Sequence, residues 1–261
     1  MTKLADYANS YRSIKMERED GILQMTFHTD DGPLRWGHIG GPHSELAHAF
    51  GDVARDPENV LVIMTGTGDM FSGPPASSET FPRSKPRDWD IILRNGMQLT
   101  MNLLGIEAPV IACINGPAYR HAELPLLGDI VLAADDAVVQ DSAHFPNRTT
   151  PGDGVNVIFP LLMGHNRGRY FLLTGQELDA GELKDMGLVN EVMPREQLLP
   201  RAWDLARELR RQNPLVLRYS RLMFTQTLKT TMQHVLGFGL ALEGLAAVDE
   251  TLLMEGGDEN V

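Results

Sequence analysis

Three apolar runs constrain this chain more than any other feature. Val60 to Thr65, Pro109 to Ile114 and Asp129 to Ala134 hold few polar side chains, and the first two stop at Gly66 and at Asn115-Gly116. A strand without polar alternation is covered on both faces, as in a parallel sheet packed between layers. Ala137 to Gln140 reads as a fourth strand. Tyr11 to Glu17 and Ile22 to His28 flank Asp20-Gly21, the pattern of a hairpin. Ser44 to Ala54 and Trp89 to Leu104 place apolar residues three and four apart, the spacing of amphipathic helices. Strands and helices interleaved in this order predict an α/β layered core.

Beyond Pro160 the pattern turns helical. Arg167–Thr174, Ala180–Met186, Leu198–Gln212, Pro214–Thr227 and Met232–Leu253 are the predicted helices, and Gly256–Val261 is a polar tail. The division falls near residue 200, with a core over residues 1–200 and a helical region over 201–261 that is not an independent domain. No internal repeat is visible.

Charge narrows the partners. Asp and Glu outnumber Lys and Arg by 35 to 23, a formal net charge of −12, so the average field repels a nucleic acid. Arg83, Lys85 and Arg87 form a short cluster beside Pro82 and Pro86, which reads as a solvated loop rather than a basic stripe. No apolar run reaches the ~20 residues of a membrane span, and Met1 to Asp20 has no apolar stretch of the secretory kind. Cys113 is the one cysteine, which rules out an internal disulfide and disfavours a cysteine-rich zinc module. The reading is a protein of the reducing cytoplasm.

An ordered series of short motifs carries more. Phe71-Ser72-Gly73, Asn115-Gly116-Pro117-Ala118, Glu123-Leu124, Asp129 to Ala134, Phe145-Pro146, Pro151-Gly152, Leu173-Thr174-Gly175, Ala180 and Gly187 to Val192 follow one another along the chain. Together they resemble the crotonase (enoyl-CoA hydratase/isomerase) superfamily. The resemblance spans residues 12 to 255 and implies a crotonase-like fold of repeated ββα units, with C-terminal helices that mediate trimer formation.

The departures from that pattern matter most. Most of the superfamily stabilises a thioester enolate with two backbone N–H groups. By alignment the first donor falls at Pro75, which has no N–H. The glycine triplet that carries the second is replaced by Arg120-His121-Ala122. One acid of the hydratase pair aligns with Glu123 and the other with His144. These changes fit one branch, the 6-oxocamphor hydrolase family of β-diketone hydrolases, which cleave carbon–carbon bonds without CoA. The resemblance runs through Trp36, His121, Ala143 to Pro146, Pro151 to Gly154, Asn166 to Ala180 and Glu243.

That branch implies a catalytic set of Trp36, His121, His144, Asp153 and Glu243, no cofactor, no metal, and a cyclic β-diketone as small-molecule substrate. It also implies a homotrimer or a hexamer built as a dimer of trimers. Imidazole is the natural base near neutral pH, so His144 is expected to deprotonate water while Asp153 orients the ring. His121 and Trp36 offer side-chain N–H groups in place of the missing backbone donors, and Glu243 holds a water or relays a proton. His28, His38, His43, His48, His165 and His234 read as surface or structural. Phe71, Phe81, Phe145 and Phe159 are candidates for an apolar substrate cavity. Two other readings stand: a CoA-thioester hydratase or isomerase using Glu123, and a non-catalytic binding module. A metal held by His121, His144 and Asp153 is a further alternative that the resemblance does not require.

Overall fold

The computed structural model describes residues 2–36, 41–74 and 85–256, with side chains described as far as Glu250. A short helix, α1 (Leu4–Tyr7), precedes β1 (Ile14–Glu19), β2 (Ile22–Phe27), α2 (Pro42–Arg55), β3 (Leu61–Thr65), α3 (Pro86–Gly105) and β4 (Val110–Ile114). The chain continues through α4 (Glu123–Leu126), β5 (Ile130–Ala134), β6 (Val138–Val139), a 3-10 turn at Phe145–Asn147, α5 (Val155–Met163) and α6 (His165–Thr174). It closes with β7 (Leu178–Asp179), α7 (Ala180–Asp185), β8 (Glu191–Met193), α8 (Arg195–Leu209) and α9 (Pro214–Gly256).

One sheet runs in the order β1-β2-β3-β4-β5-β8. β1 and β2 are antiparallel and every later pairing is parallel. At the hairpin both Asp20 and Gly21 are left-handed, with φ of 48° and 78°, the conformation of a two-residue turn that matches strand twist. The apolar runs earn their lack of alternation. Val62, Met64, Val110, Ala112 and Ile114 face the larger core with α2 and α3, while Leu61, Ile63, Ile111 and Cys113 face Ala202 and Ala206 of α8. Both faces are dry, so both parities must be apolar.

A second, thinner layer lies beyond the C-terminal ends of β3 and β4. Parallel bridges join Arg35 to Gly73, Ser72 to Ala118 and Ala118 to Val139, and β6 then pairs with β7. This layer carries the loops of the candidate site.

The structure corrects the expected break between Thr227 and Met232. Pro214–Gly256 is one continuous helix of 43 residues. Its threonines do not cap a new helix; Thr225, Thr230 and Thr231 each donate to the carbonyl four residues back, which satisfies the hydroxyl inside the helix. By length and composition, residues 214–250 would also suffice to cross a membrane. That run was not apparent as a continuous apolar stretch in the sequence. Here its inner face is taken by protein, with Arg221, Met232, Leu236, Leu240 and Glu243 all buried.

Arg221 anchors this helix. Its Nε donates to the Ile106 carbonyl at 2.6 Å, Nη2 to that of Leu103 at 3.3 Å, and Nη1 pairs with the Asp129 carboxylate. Farther along, Trp89 Nε1 of α3 donates to the Leu240 carbonyl at 2.9 Å. A Cβ at Gly244 would overlap that indole, so the two helices approach where no side chain intervenes. Glu243 stands beside this crossing.

Candidate active site

Six segments converge where the second layer meets α2, α3 and α9. Trp36 is fixed through its backbone, since its N–H donates to the Gly73 carbonyl while the Gly73 N–H donates to that of Leu34, both at 2.9 Å. His121 follows a turn held by the Ser72 hydroxyl, which donates to the Arg120 carbonyl at 2.5 Å. Its φ is 51°, a left-handed conformation uncommon for a residue with a side chain. Asp153 shares that conformation, with φ of 47°. Two such residues facing one another fit the concentration of backbone strain at functional sites.

The structure brings all five expected residues together. The Trp36 and His121 rings lie 4.1 Å apart between centroids. His144 Nε2 is 3.4 Å from Glu243 Oε1 and 3.7 Å from Asp153 Oδ2, and His121 Nε2 is 3.9 Å from the same Asp153 oxygen. Glu243 reaches this point because Gly152 lies beneath it, where any Cβ would overlap Oε2. Gly96 of α3 makes the same allowance for Asp153; a Cβ there would sit 3.0 Å from Oδ1.

The orienting group differs from the expected one. Asp153 lies on the Nε2 side of His144, beyond hydrogen-bond length. The contact to Nδ1 comes from Asp141 Oδ1 at 2.7 Å. Nine positions along a loop do bring Asp153 to the ring, but to its other nitrogen. Asp141 stands three residues before His144 in Asp-Ser-Ala-His, which the local loop folds back upon itself. Glu123 is likewise more than a helix-start residue: its Oε1 meets His121 Nδ1 at 2.8 Å, and it is fully buried. His43, expected at the surface or in a structural role, has its ring 5.2 Å from that of His121 and 6.0 Å from that of Trp36. Pro42 opens α2 directly before it, at a position that suits proline.

Among the aromatic candidates, Phe71 and Phe159 are core residues. Phe71 packs edge-on against Phe27, and Phe159 against Phe171 at 4.5 Å. Phe145 is exposed. Phe81, Pro75 and His38 lie outside the described residues.

Electrostatics follow from four carboxylates, Glu123, Asp141, Asp153 and Glu243, buried around two imidazoles. Burial alone would depress both histidines, but Asp141 and Glu243 push His144 well above its ordinary value, and Glu123 with Asp153 raise His121. Burial would raise Asp153, yet the close approach and charge of His144, with the charge of His121, hold it far below the carboxylate range. The raised imidazoles and the lowered Asp153 thus have one cause, the pairing of opposite charges inside a buried site. Among the described residues, Trp36 Nε1, His144 Nε2 and Asp153 Oδ1 are buried with no hydrogen-bond partner. Buried polar atoms left unmatched are costly in a folded protein, and here they gather in one place. The arrangement can donate N–H groups to an oxygen, take a proton at imidazole, and hold a water against carboxylate.

Residues 39–244 match the family model for enoyl-CoA hydratase/isomerase. The chain is 27% identical over 237 residues to hydroxycinnamoyl-CoA hydratase-lyase of Pseudomonas fluorescens, covering 88% of this chain and 84% of that protein. Among solved structures, it is similar to ABDH, a β-diketone hydrolase from the cyanobacterium Anabaena sp. PCC 7120 bound to (S)-3-oxocyclohexyl acetic acid. That alignment has a TM-score of 0.90 and 40% identity, over 94% of this chain and 98% of the other. An enoyl-CoA hydratase/isomerase from Mycobacterium paratuberculosis shares the fold at 22% identity and a TM-score of 0.81, over 92% and 95% of the two chains.

Proposed function

The chain belongs to the enoyl-CoA hydratase/isomerase family, with the crotonase fold, and within that family we propose that it is a β-diketone hydrolase. It cleaves a carbon–carbon bond of a cyclic 1,3-diketone by water, without CoA. One observation carries this reading. The Trp36 and His121 rings and two imidazole–carboxylate pairs, His121 with Glu123 and His144 with Asp141, meet in one buried site, and Arg120-His121-Ala122 stands where the family's sequence pattern has glycines.

The chemistry runs as follows. Water adds to one carbonyl carbon of the diketone, losing a proton to His144 Nε2, while Asp141 stabilises the imidazolium that forms. Trp36 Nε1 and His121 donate to the oxygens that gain charge, each such donor being worth about 3 kcal/mol of barrier. The bond between the attacked carbon and the carbon flanked by both carbonyls breaks. Its electron pair leaves as an enolate, which takes a proton at carbon and yields a keto acid. Asp153 and Glu243 hold the water and return the proton. The neighbouring hydrolase is seen with a keto acid. Closing a bond between that acid's carboxyl carbon and the carbon beside its ketone gives a bicyclic 1,3-diketone, which is the substrate class offered here.

Trimeric assembly belongs to the same reading. Met223, Phe224, Phe238 and Leu245 are exposed along α9, as are Leu161, Tyr170 and Leu173 on α5 and α6. Such apolar surface suits contact with further copies of the chain. The single cysteine, fully buried at position 113, accords with a reducing cytoplasm.

Incubation of the protein with a panel of monocyclic and bicyclic 1,3-diketones, followed by detection of released acid, tests the activity. Acid from a bicyclic diketone supports it. Silence across the panel together with turnover of an acyl-CoA would replace it with the hydratase reading.

A further inference from the structure

The two imidazoles are set as metal-bound histidines are set. Asp141 stands behind Nδ1 of His144 and Glu123 behind Nδ1 of His121, which turns both Nε2 atoms into the site. A carboxylate in that position fixes the ring and strengthens Nε2 as a ligand. Among the described residues, His144 Nε2 is buried and makes no hydrogen bond, and neither does Asp153 Oδ1. One ligand atom from each of His144, Asp153 and Glu243 lies within 4.8 Å of the others. The His144–Glu243 and His144–Asp153 edges are 3.4 and 3.7 Å. Zinc bonds of about 2.0–2.1 Å in a tetrahedron place ligand atoms roughly 3.3 Å apart, so two of the three edges are close to that spacing.

We propose that His144, Asp153 and Glu243 form a binding site for a divalent zinc ion, with water as fourth ligand. Imidazole with carboxylates is a donor set that suits zinc. The surrounding charge favours it as well, since Asp141 adds a carboxylate behind His144 and Glu123 another behind His121. His43, His121 and Asp153 form a second group of three, and it shares Asp153. His43 and His121 are less buried than the first group, so the ion is assigned to the deeper set. Zinc bound there occupies Nε2 of His144 and so acts as an inhibitor. This consequence rests on the hydrolase reading; the binding does not.

The test uses the whole protein, stripped with chelator and dialysed free of it. Titration with cobalt(II) should give one ion per chain with the intense visible bands of tetrahedral N/O coordination, and zinc should displace it. By calorimetry, Glu243→Gln and Asp153→Asn should each weaken zinc by about 100-fold or more, and Asp141→Asn by about 10–100-fold. His43→Ala should leave affinity within about 3-fold. Circular dichroism melts confirm that each variant is folded, and Asp141→Asn serves if the ligand variants are not. The proposal is overturned by absent or octahedral cobalt binding, by affinity that survives both ligand variants, or by affinity lost in His43→Ala. Because cobalt and zinc are read directly, failure here leaves the diketone assay untouched. Zinc inhibition reversed by chelator would tie the two together.

Discussion

Replacing Asp141 with Asn removes a charge while keeping the shape of the side chain behind His144. The wild-type contact, 2.7 Å between Asp141 Oδ1 and Nδ1, is a charge-assisted hydrogen bond when the ring is protonated. Such bonds contribute about 1.5–3 kcal/mol, and neutral ones about 1. The difference, about 0.5–2 kcal/mol, is centred on roughly one pH unit at the ring. If neutral His144 is the base, wild-type kcat/KM should rise about tenfold per pH unit and level off above pH ~6.5, because the folded-state value is raised. In Asp141→Asn the rising limb should move about one unit toward acid pH. The plateau should also drop by about 10²–10⁴, since an amide can present its NH₂ to Nδ1 and favour the wrong tautomer. The assay is steady-state hydrolysis of a bicyclic 1,3-diketone across pH 5.5–9.5 or thereabouts. A wild-type rate that falls as pH rises would refute the base assignment and make His144 a proton donor. A limb unmoved by the substitution would refute the assignment of Asp141.

Other perturbations read other parts of the structure. Trp36→Phe keeps the ring packed on His121 but removes Nε1–H, and should lower kcat about 100-fold or more with an unchanged melt; a loss confined to KM would remove Trp36 from transition-state stabilisation. Gly152→Ala places a methyl against Glu243 Oε2 and should displace that carboxylate, costing about 100-fold in rate; normal turnover would show that the position of Glu243 is not required. Arg221→Met leaves Asp129 without its cation and should destabilise by about 3 kcal/mol, or roughly 6–12 °C in a thermal melt for a chain of this size; a shift below ~2 °C would contradict the anchoring role. The two raised histidines contribute stability that is fully present below their unfolded value near 6.5 and is lost as pH rises through the folded values. The wild-type melt should therefore fall on the alkaline side of that window, and His144→Gln should flatten the fall.

The layered fold was legible because its strands are buried on two faces, and a run such as Leu61–Thr65 has no alternative reading of comparable quality. The five site residues were legible through motif order and the substitutions at Pro75 and His121. What escaped was local geometry. Asp141 and His144 are three apart, a spacing that brings side chains together on a helix, but they sit in a loop whose turn is set by the Asn147 amide bonding back to the Ser142 carbonyl at 2.7 Å. His43 reads as surface or structural because nothing in its neighbours states that α2 begins against Trp36. The break expected near residue 229 failed for a different reason, since threonine hydroxyls that suit caps and turns also bond within a helix.

The long final helix carries a constraint on chain length. Arg221 and Glu243 are separated by about six turns and roughly 33 Å of axial rise, and a whole number of turns sets both on the same side of the rod. Inserting or deleting a single residue between them would swing the far carboxylate by about 100° while its anchor stayed put. Spacing along that stretch is thus part of the chemistry, although the residues between them include none of the other site side chains.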